Sequence, residues 1–468
     1  MRAIVASTLF AGLLGCPGGD PKPEPDEPDP TSLVEASAAL RGDAGDLAGS
    51  AVAGGDLDGD GAEDLVVAGL GGRVTCVWPG PVTGERVLRD APSCLGQADD
   101  YDFAGYAIAA GVDLDGDGAD ELLVGGPGSD LGVEAGGAAW LLFGPLPLGV
   151  TSVAEAPVSW AGAAAGDSLG IAVAFAGDAD GDATGDILLG APGSDLGARE
   201  EGAVLLMATT GVTLATFVGG GAPVESPSKH AENVTGDGVG TALCRGGDLD
   251  GDGLDDVVVG FPGWDGGPED GGSENGGAVG IFSGPIAPGV WTFDDAERRL
   301  LGTEAGAYLG GAVACGGDTD GDGLGELLVG ADAAGAGSAH LWRGDFVAPT
   351  LFVGTDDGDQ AGYAVSFVPD PDGDGVAIGA PSADGPDGDG VRVDSGLIAL
   401  FRTPADGTHA LADADARWAG EGAGDLAGTA LVGLADLDGI GTPGLLVGAP
   451  YNRDAAPIGG AAYGIPFP

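Results

Sequence analysis

The sequence predicts an all-β fold, a seven-bladed β-propeller with calcium-binding loops, closed by an N-terminal strand in the last blade. Three observations lead there. One acidic element recurs seven times, beginning at Asp56, Asp113, Asp178, Asp248, Asp318, Asp370 and Asp436. Short apolar runs bounded by Gly and Pro flank the copies, the pattern of buried strands rather than helices. Glycine supplies 97 of the 468 residues with no three-residue period. Each interior Gly costs a helix about 0.5–1 kcal/mol, so this many glycines must serve turns.

The chain opens with MRAIVASTLFAGLLGC, residues 1–16. One Arg precedes an apolar run too short to span a bilayer, which is the pattern of a signal peptide. Its end, Leu13-Leu14-Gly15-Cys16, resembles the lipobox of bacterial lipoproteins. That resemblance implies cleavage and a lipid on Cys16. Residues 17–31 alternate Pro and acid, cannot bury anything, and are expected to form a disordered tether. Residues 32–468 are assigned to the propeller. The expected location is the bacterial cell envelope, at the outer membrane or cell surface, with the lipid as the only membrane contact.

The formal net charge is −58, from 74 acidic and 16 basic residues. A compact state with that charge repels itself unless cations offset it. Binding to a nucleic-acid backbone needs a basic face and is excluded on this ground. Four cysteines follow Cys16, an even number that suits disulfides in an exported chain. Cys76 and Cys94 fall in one copy, on segments placed to be neighbouring strands. Cys244 and Cys315 hold nearly equivalent positions of adjacent copies, where they either pair across two inner strands or stay buried thiols.

The spacings between copies are 57, 65, 70, 70, 52 and 66 residues. Each copy has a small-residue strand such as GIAVAFAG, an acidic loop such as DLDGDGADE, and an apolar run such as DILLGAP. A Gly-rich loop, a third strand such as GGAAWLLFGP and a weaker fourth strand complete it. Four strands in seven copies suit a propeller, which leaves only short, protected edges. The last copy ends after its third strand. Its missing fourth strand is expected from residues 32–41, because SLVEASAALRGDAGDLAG resembles ALADADARWAGEGAGDLAG before the seventh loop.

Five loops carry four acids each. They are Asp56, Asp58, Asp60 and Asp64; Asp113, Asp115, Asp117 and Glu121; Asp178, Asp180, Asp182 and Asp186; Asp248, Asp250, Asp252 and Asp256; and Asp318, Asp320, Asp322 and Glu326. Acids at positions 1, 3, 5 and 9 of a tight loop converge their oxygens, and the carbonyl at position 7 adds another. Hard oxygen ligands in this number suit Ca²⁺, so about five ions are expected. Strands flank these loops and position 12 is not the ligand, so they are not EF-hands. Gly at position 6 allows the sharp turn; Ala183 replaces it in the third loop, which is expected to bind more weakly. The sixth loop has Asp370, Asp372 and Asp374 but Ile378 at position 9, and the seventh keeps only Asp436 and Asp438 before Ile440 and Gly444. Weak or no binding is expected in the sixth and none in the seventh.

On these motifs the chain resembles the FG-GAP repeat family, the repeat of integrin α-subunit propellers. The Phe-Gly element is matched by Phe103-Ala104-Gly105, Leu169-Gly170 and Leu309-Gly310, and more loosely by Leu47-Ala48-Gly49, Gly362 and Leu426-Ala427-Gly428. The Gly-Ala-Pro element is matched by Gly190-Ala191-Pro192, Gly379-Ala380-Pro381 and Gly448-Ala449-Pro450, with Asp332 in place of one Pro. The resemblance implies calcium loops on one face and recognition on the other. That other face would be built from loops such as residues 128–137, 193–202 and 263–277.

The function expected from this is non-enzymatic: adhesion or ligand recognition by a calcium-loaded, lipid-anchored surface protein, monomeric, with a protein or glycan ligand. An envelope scaffold is the alternative. A propeller enzyme, such as a polysaccharide lyase or hydrolase, has less support. The three histidines, His230, His340 and His409, sit in no Ser-His-Asp, zinc or Cys-His pattern. Arg41-Gly42-Asp43 spells the tripeptide that integrins bind, but it falls on the expected closing strand and is common chemistry in a chain this rich in Gly and Asp.

Overall fold

The apolar runs have no polar face. Leu65, Val66, Val67 and Ala68 are all within 1% of complete burial. Strands of this kind must be covered on both sides, and stacking sheets around an axis does so. The structure, a computed structural model, describes residues 30–99, 101–196, 202–219, 237–244, 247–265, 272–344, 346–371, 373–387, 390–454 and 456–467. The expected signal peptide, Cys16 and all but the end of the tether lie outside the described residues, as do His230 and Asp372. No helix among the described residues is long and apolar enough to cross a membrane.

Seven antiparallel sheets form the blades of a β-propeller. Their innermost strands are Ala48–Gly55, Ala107–Ala109, Val173–Gly177, Leu243–Cys244, Ala312–Gly317, Ala364–Val368 and Ala430–Leu434. Each lies beside the next, and the last lies beside the first. Seven hydrophobic clusters fill the seven gaps between blades. Alternation along one strand serves two of them. Val257 and Val259 face blade 3, while Val258 between them faces blade 5. The ring joins its ends through Ala38–Arg41, which pairs antiparallel with Ala461–Pro466, Ala38 opposite Gly464 and Arg41 opposite Ala461. The cluster between blades 7 and 1 includes Leu40 and Leu446 beside Val52 and Val67.

Arg41 is the last residue of that closing strand. Its guanidinium reaches Glu421 at 2.9 Å and Glu85 at 2.6 Å. It also donates to Asn452 and Tyr463, both at 3.3 Å. The Arg of the Arg41-Gly42-Asp43 tripeptide is therefore engaged inside the ring.

Four strands per blade is the sequence expectation, and five of the seven sheets hold a fifth. In four of them the extra strand comes from the connection between strands three and four of the following blade; in blade 6 it is Thr31–Ser32, just ahead of the closing strand. Gly149–Ser152, for example, belongs to blade 2 but pairs parallel with Ser93–Gly96 of blade 1. Gly289–Thr292 of blade 4 pairs in the same way with Thr213–Val218 of blade 3. Each of these straps leads into a single 3₁₀ turn, such as Val153–Glu155, and then into its own blade.

The Gly motifs mark the closest approach of blades. Gly170 has φ +88°, and its N–H donates to Gly190 O of its own blade at 2.9 Å. A Cβ there would overlap the Ala138 carbonyl oxygen of the preceding blade. The same contact occurs across the closure, where a Cβ on Gly49 would overlap Ala461 O. Cys76 and Cys94 are bonded across neighbouring strands of blade 1, with Cα atoms 4.0 Å apart. Cys244 and Cys315 are bonded between the inner strands of blades 4 and 5, with Cα atoms 5.7 Å apart.

Candidate metal centre

Each acidic loop links the first and second strands of its blade, so all seven open on one face of the disc. The first Asp folds the loop around itself. Asp56 accepts Gly59 N–H on Oδ1 and Gly61 N–H on Oδ2, both at 2.8 Å. Asp113, Asp248 and Asp318 repeat the pattern. The ninth residue closes the loop from the strand side. Asp64 Oδ2 accepts from Leu57 N–H at 3.0 Å and Asp256 Oδ2 from Leu249 N–H at 2.9 Å; Glu121 takes the N–H of Leu114. Glu326 takes the N–H of Thr319 at 3.1 Å.

This folding brings three carboxylates together in each of five loops. The groups are Asp56, Asp58 and Asp64; Asp113, Asp115 and Glu121; Asp178, Asp180 and Asp186; Asp248, Asp250 and Asp256; and Asp318, Asp320 and Glu326, with ligand oxygens within 4.8 Å of one another. The expected fifth-position acids stand outside these groups. Asp60, Asp117, Asp182, Asp252 and Asp322 each accept the N–H of the residue two further on.

The donor set fits a hard cation. Position-9 acids are 0–2% exposed in all five loops. Glu121 Oε1, Asp178 Oδ1 and Asp186 Oδ1 are buried with no hydrogen-bond donor. A buried carboxylate oxygen beside two further carboxylates is costly unless a cation shares it. Burial pushes Asp64 and Asp256 up to about 6 and Glu121 and Asp186 up to about 7, with the neighbouring acids adding to the rise. Positions 1, 3 and 9 would hold a Ca²⁺, which neutralises the crowded charge and cross-links the first and second strands.

The five loops differ. Ala183 has φ +69°, so it adopts the left-handed turn that Gly takes in the other loops. Its Asp178 keeps the bond to Ala183 N–H but has no donor on Oδ1. In the fifth loop the Arg343 guanidinium lies 3.4 Å from Glu326 Oε1 and is held there by Thr319 and Thr350. That cation competes for the same oxygen. The seventh loop has Gly444 at position 9, and a backbone bond from Leu437 N–H to Thr442 O at 2.9 Å closes it instead.

The histidines have structural surroundings. His340 lies within a blade strand, 3.0 Å from Ser338 Oγ, and burial lowers it to about 4. His409 stacks on Phe352 and lies 2.7 Å from Ala405 O. Two cavities of about 260 and 270 Å³ occupy the central channel, lined by residues such as Ala51, Ile108, Val173, Leu243 and Tyr363, with no acid or histidine among their lining.

The antiparallel order places the loops after strand two, and those joining blades, on the opposite face. Exposed apolar side chains punctuate that face: Tyr101, Leu131, Leu196, Val393 and Ile458 are each at least 40% exposed. Sequence reasoning missed these tips, because a single Leu in a polar loop carries no signal by itself.

Two segments, residues 104–142 and 239–282, match the FG-GAP repeat. A stretch of 118 residues is 36% identical to integrin alpha-X of Homo sapiens. It covers 25% of this chain and 9% of that protein, so only a small part of the integrin is represented.

Proposed function

We propose that this FG-GAP-repeat protein is a non-enzymatic, calcium-stabilised recognition module of the bacterial cell surface. Five acid clusters lie on one face, and a rim of exposed apolar tips lies on the other. The division of faces is the observation that carries the reading. The acid-loop side carries the exposed Leu148 and Ile440 as well, and on the other face Arg73 lies over the Tyr101 ring, so the reading rests on the spaced loop tips around it. Singly exposed apolar residues are ordinary, but five on the tips of one face form a spaced contact set. Tyr101 adds an aromatic anchor of the kind enriched in interface cores. The ligand is a protein or glycan. The chain is exported, held by lipid on Cys16, and acts as a monomer.

The test uses the chain from residue 17, loaded with calcium, against a glycan array and a panel of purified envelope proteins. A calcium-dependent ligand whose binding is lost in the Tyr101→Ser/Leu131→Ser variant, with calcium content unchanged, is the expected result. Binding that survives that variant, or that maps to the calcium-loop face, would overturn the assignment of faces.

A further inference from the structure

Neighbouring acidic loops are tied to one another by a residue outside every acid cluster. In loop 2 this is Asp120, at position 8. Its Oδ2 accepts the backbone N–H of Asp56, the first residue of loop 1, at 2.7 Å. Its own N–H donates back to Asp56 O at 2.7 Å. Asp255 of loop 4 makes the same side-chain bond to Asp178 N–H of loop 3 at 2.9 Å. Glu63 of loop 1 reaches Asp436 N–H of loop 7 at 3.0 Å. Asp374 of loop 6 accepts Asp318 N–H of loop 5 at 3.1 Å and donates to Asp318 O at 2.9 Å.

The space for this carboxylate is built into the receiving blade. A Cβ on Gly55 would meet Gly111 N of the next blade at 2.5 Å and Asp120 Oδ2 at 2.9 Å. One on Gly177 would overlap Asp255 Oδ2. The side-chain bond is missing where a non-acid stands just before the second strand: Gly185 in loop 3, Gly325 in loop 5 and Pro443 in loop 7; Gly325 N–H still donates to Asp248 O of loop 4 at 3.1 Å. Val112 stands before loop 2 in the place that Gly55 and Gly177 hold before loops 1 and 3, while Gly247 keeps a Gly before loop 4 and Ala435 stands before the gripped loop 7. Loop 6 separates this role from metal binding. It has no position-9 acid, yet Asp374 still grips loop 5.

We propose that Asp120 and Asp255 are positioning residues that link neighbouring calcium loops. Loops 1 and 2 then load as one coupled pair and loops 3 and 4 as another, while loop 5 is tied to loop 4 by a backbone bond alone. The proposal rests on the calcium reading above. The clamp fixes the backbone of Asp56 or Asp178, whose side chain is a first ligand, and the next residue in the clamping loop, Glu121 or Asp256, is a ligand of its own site. A cation in either loop therefore orders the other, and the coupling is reciprocal.

Hydrogen–deuterium exchange along a calcium titration reads each loop by its own peptide. In the wild type, residues 56–64 and 113–121 should gain protection at one common midpoint. Asp120→Ala should raise the loop 1 midpoint about tenfold, the scale of one hydrogen bond to a charged group, and leave loops 3, 4 and 5 unmoved. Asp120→Asn, which keeps an acceptor oxygen, should recover most of that loss. An unmoved loop 1, or an equal shift in all five loops, would overturn the proposal. If no wild-type loop responds to calcium, the calcium reading has failed. Exchange at residues 56–61 without metal then still decides the clamp: Asp120→Ala should speed it, and an unchanged rate would remove the clamp as well.

Discussion

Among the residues, the position-9 acids bear the strongest tension. Without metal, burial holds Asp64, Glu121, Asp186 and Asp256 protonated up to about pH 6–7. The unfolded chain releases those protons near pH 4. The metal-free fold thus binds more protons than the unfolded chain between about pH 4 and 7, and its stability falls as pH rises through that window. Chelated protein should unfold at a lower temperature at pH 8 than at pH 5.5, and the double variant Glu121→Gln/Asp186→Asn should flatten that slope in thermal scans. A slope unchanged in the variant would assign it to the general charge of the chain instead. Calcium loading takes the ionised acids, so affinity should weaken below about pH 6. At Ala183 the left-handed backbone is paid for without glycine. Ala183→Gly should raise the stability of the calcium-loaded protein by about 1 kcal/mol, read by denaturant unfolding. These acids were legible in the sequence because their spacing repeats; which three of the four converge was not, since that depends on how the first Asp wraps the loop. The role of Arg343 beside Glu326 was hidden too, because the two meet only through the third strand of the blade.

At the scale of elements, the repeating Gly pairs set how closely blades approach. Gly170→Ala would force a Cβ into the Ala138 carbonyl and a side chain into φ +88°. The cost should be at least about 2 kcal/mol, seen as a lower midpoint in chemical unfolding. A change within a few tenths would mean that the gap between blades 2 and 3 relaxes freely. The strands themselves were readable, since apolar runs between Gly and Pro leave little choice. The straps were not. A segment such as Gly149–Ser152 is short, half polar and pairs with a different blade, so nothing near it in the chain signals a strand. Blades 2 and 4 lack a strap because the connections of blades 3 and 5 are too short to supply one: Ala203–Ala208 turns directly into Thr213–Val218, and Ser338–Trp342 reaches Thr350–Val353 in seven residues.

At the scale of the whole molecule, the ring is a balance between apolar gaps and acidic loops. Seven buried clusters draw the blades together. Against them stands a net charge of −58, and five loops each crowd three carboxylates. The fold class was open to reading because seven copies of one pattern cannot be mistaken for a single domain of mixed elements. The loops of the opposite face were named from the family resemblance, but which side chains stand exposed at their tips was not legible, because exposure depends on the folded loop. Cations bound in these loops would reconcile the charge with the fold, and that is the claim most worth testing. Metal content by mass spectrometry, together with thermal unfolding with and without a calcium chelator, tests it directly. About five calcium ions per chain and a marked fall in unfolding temperature on chelation are the expected result. A chain that holds no calcium, or that unfolds at the same temperature with and without it, would contradict the account.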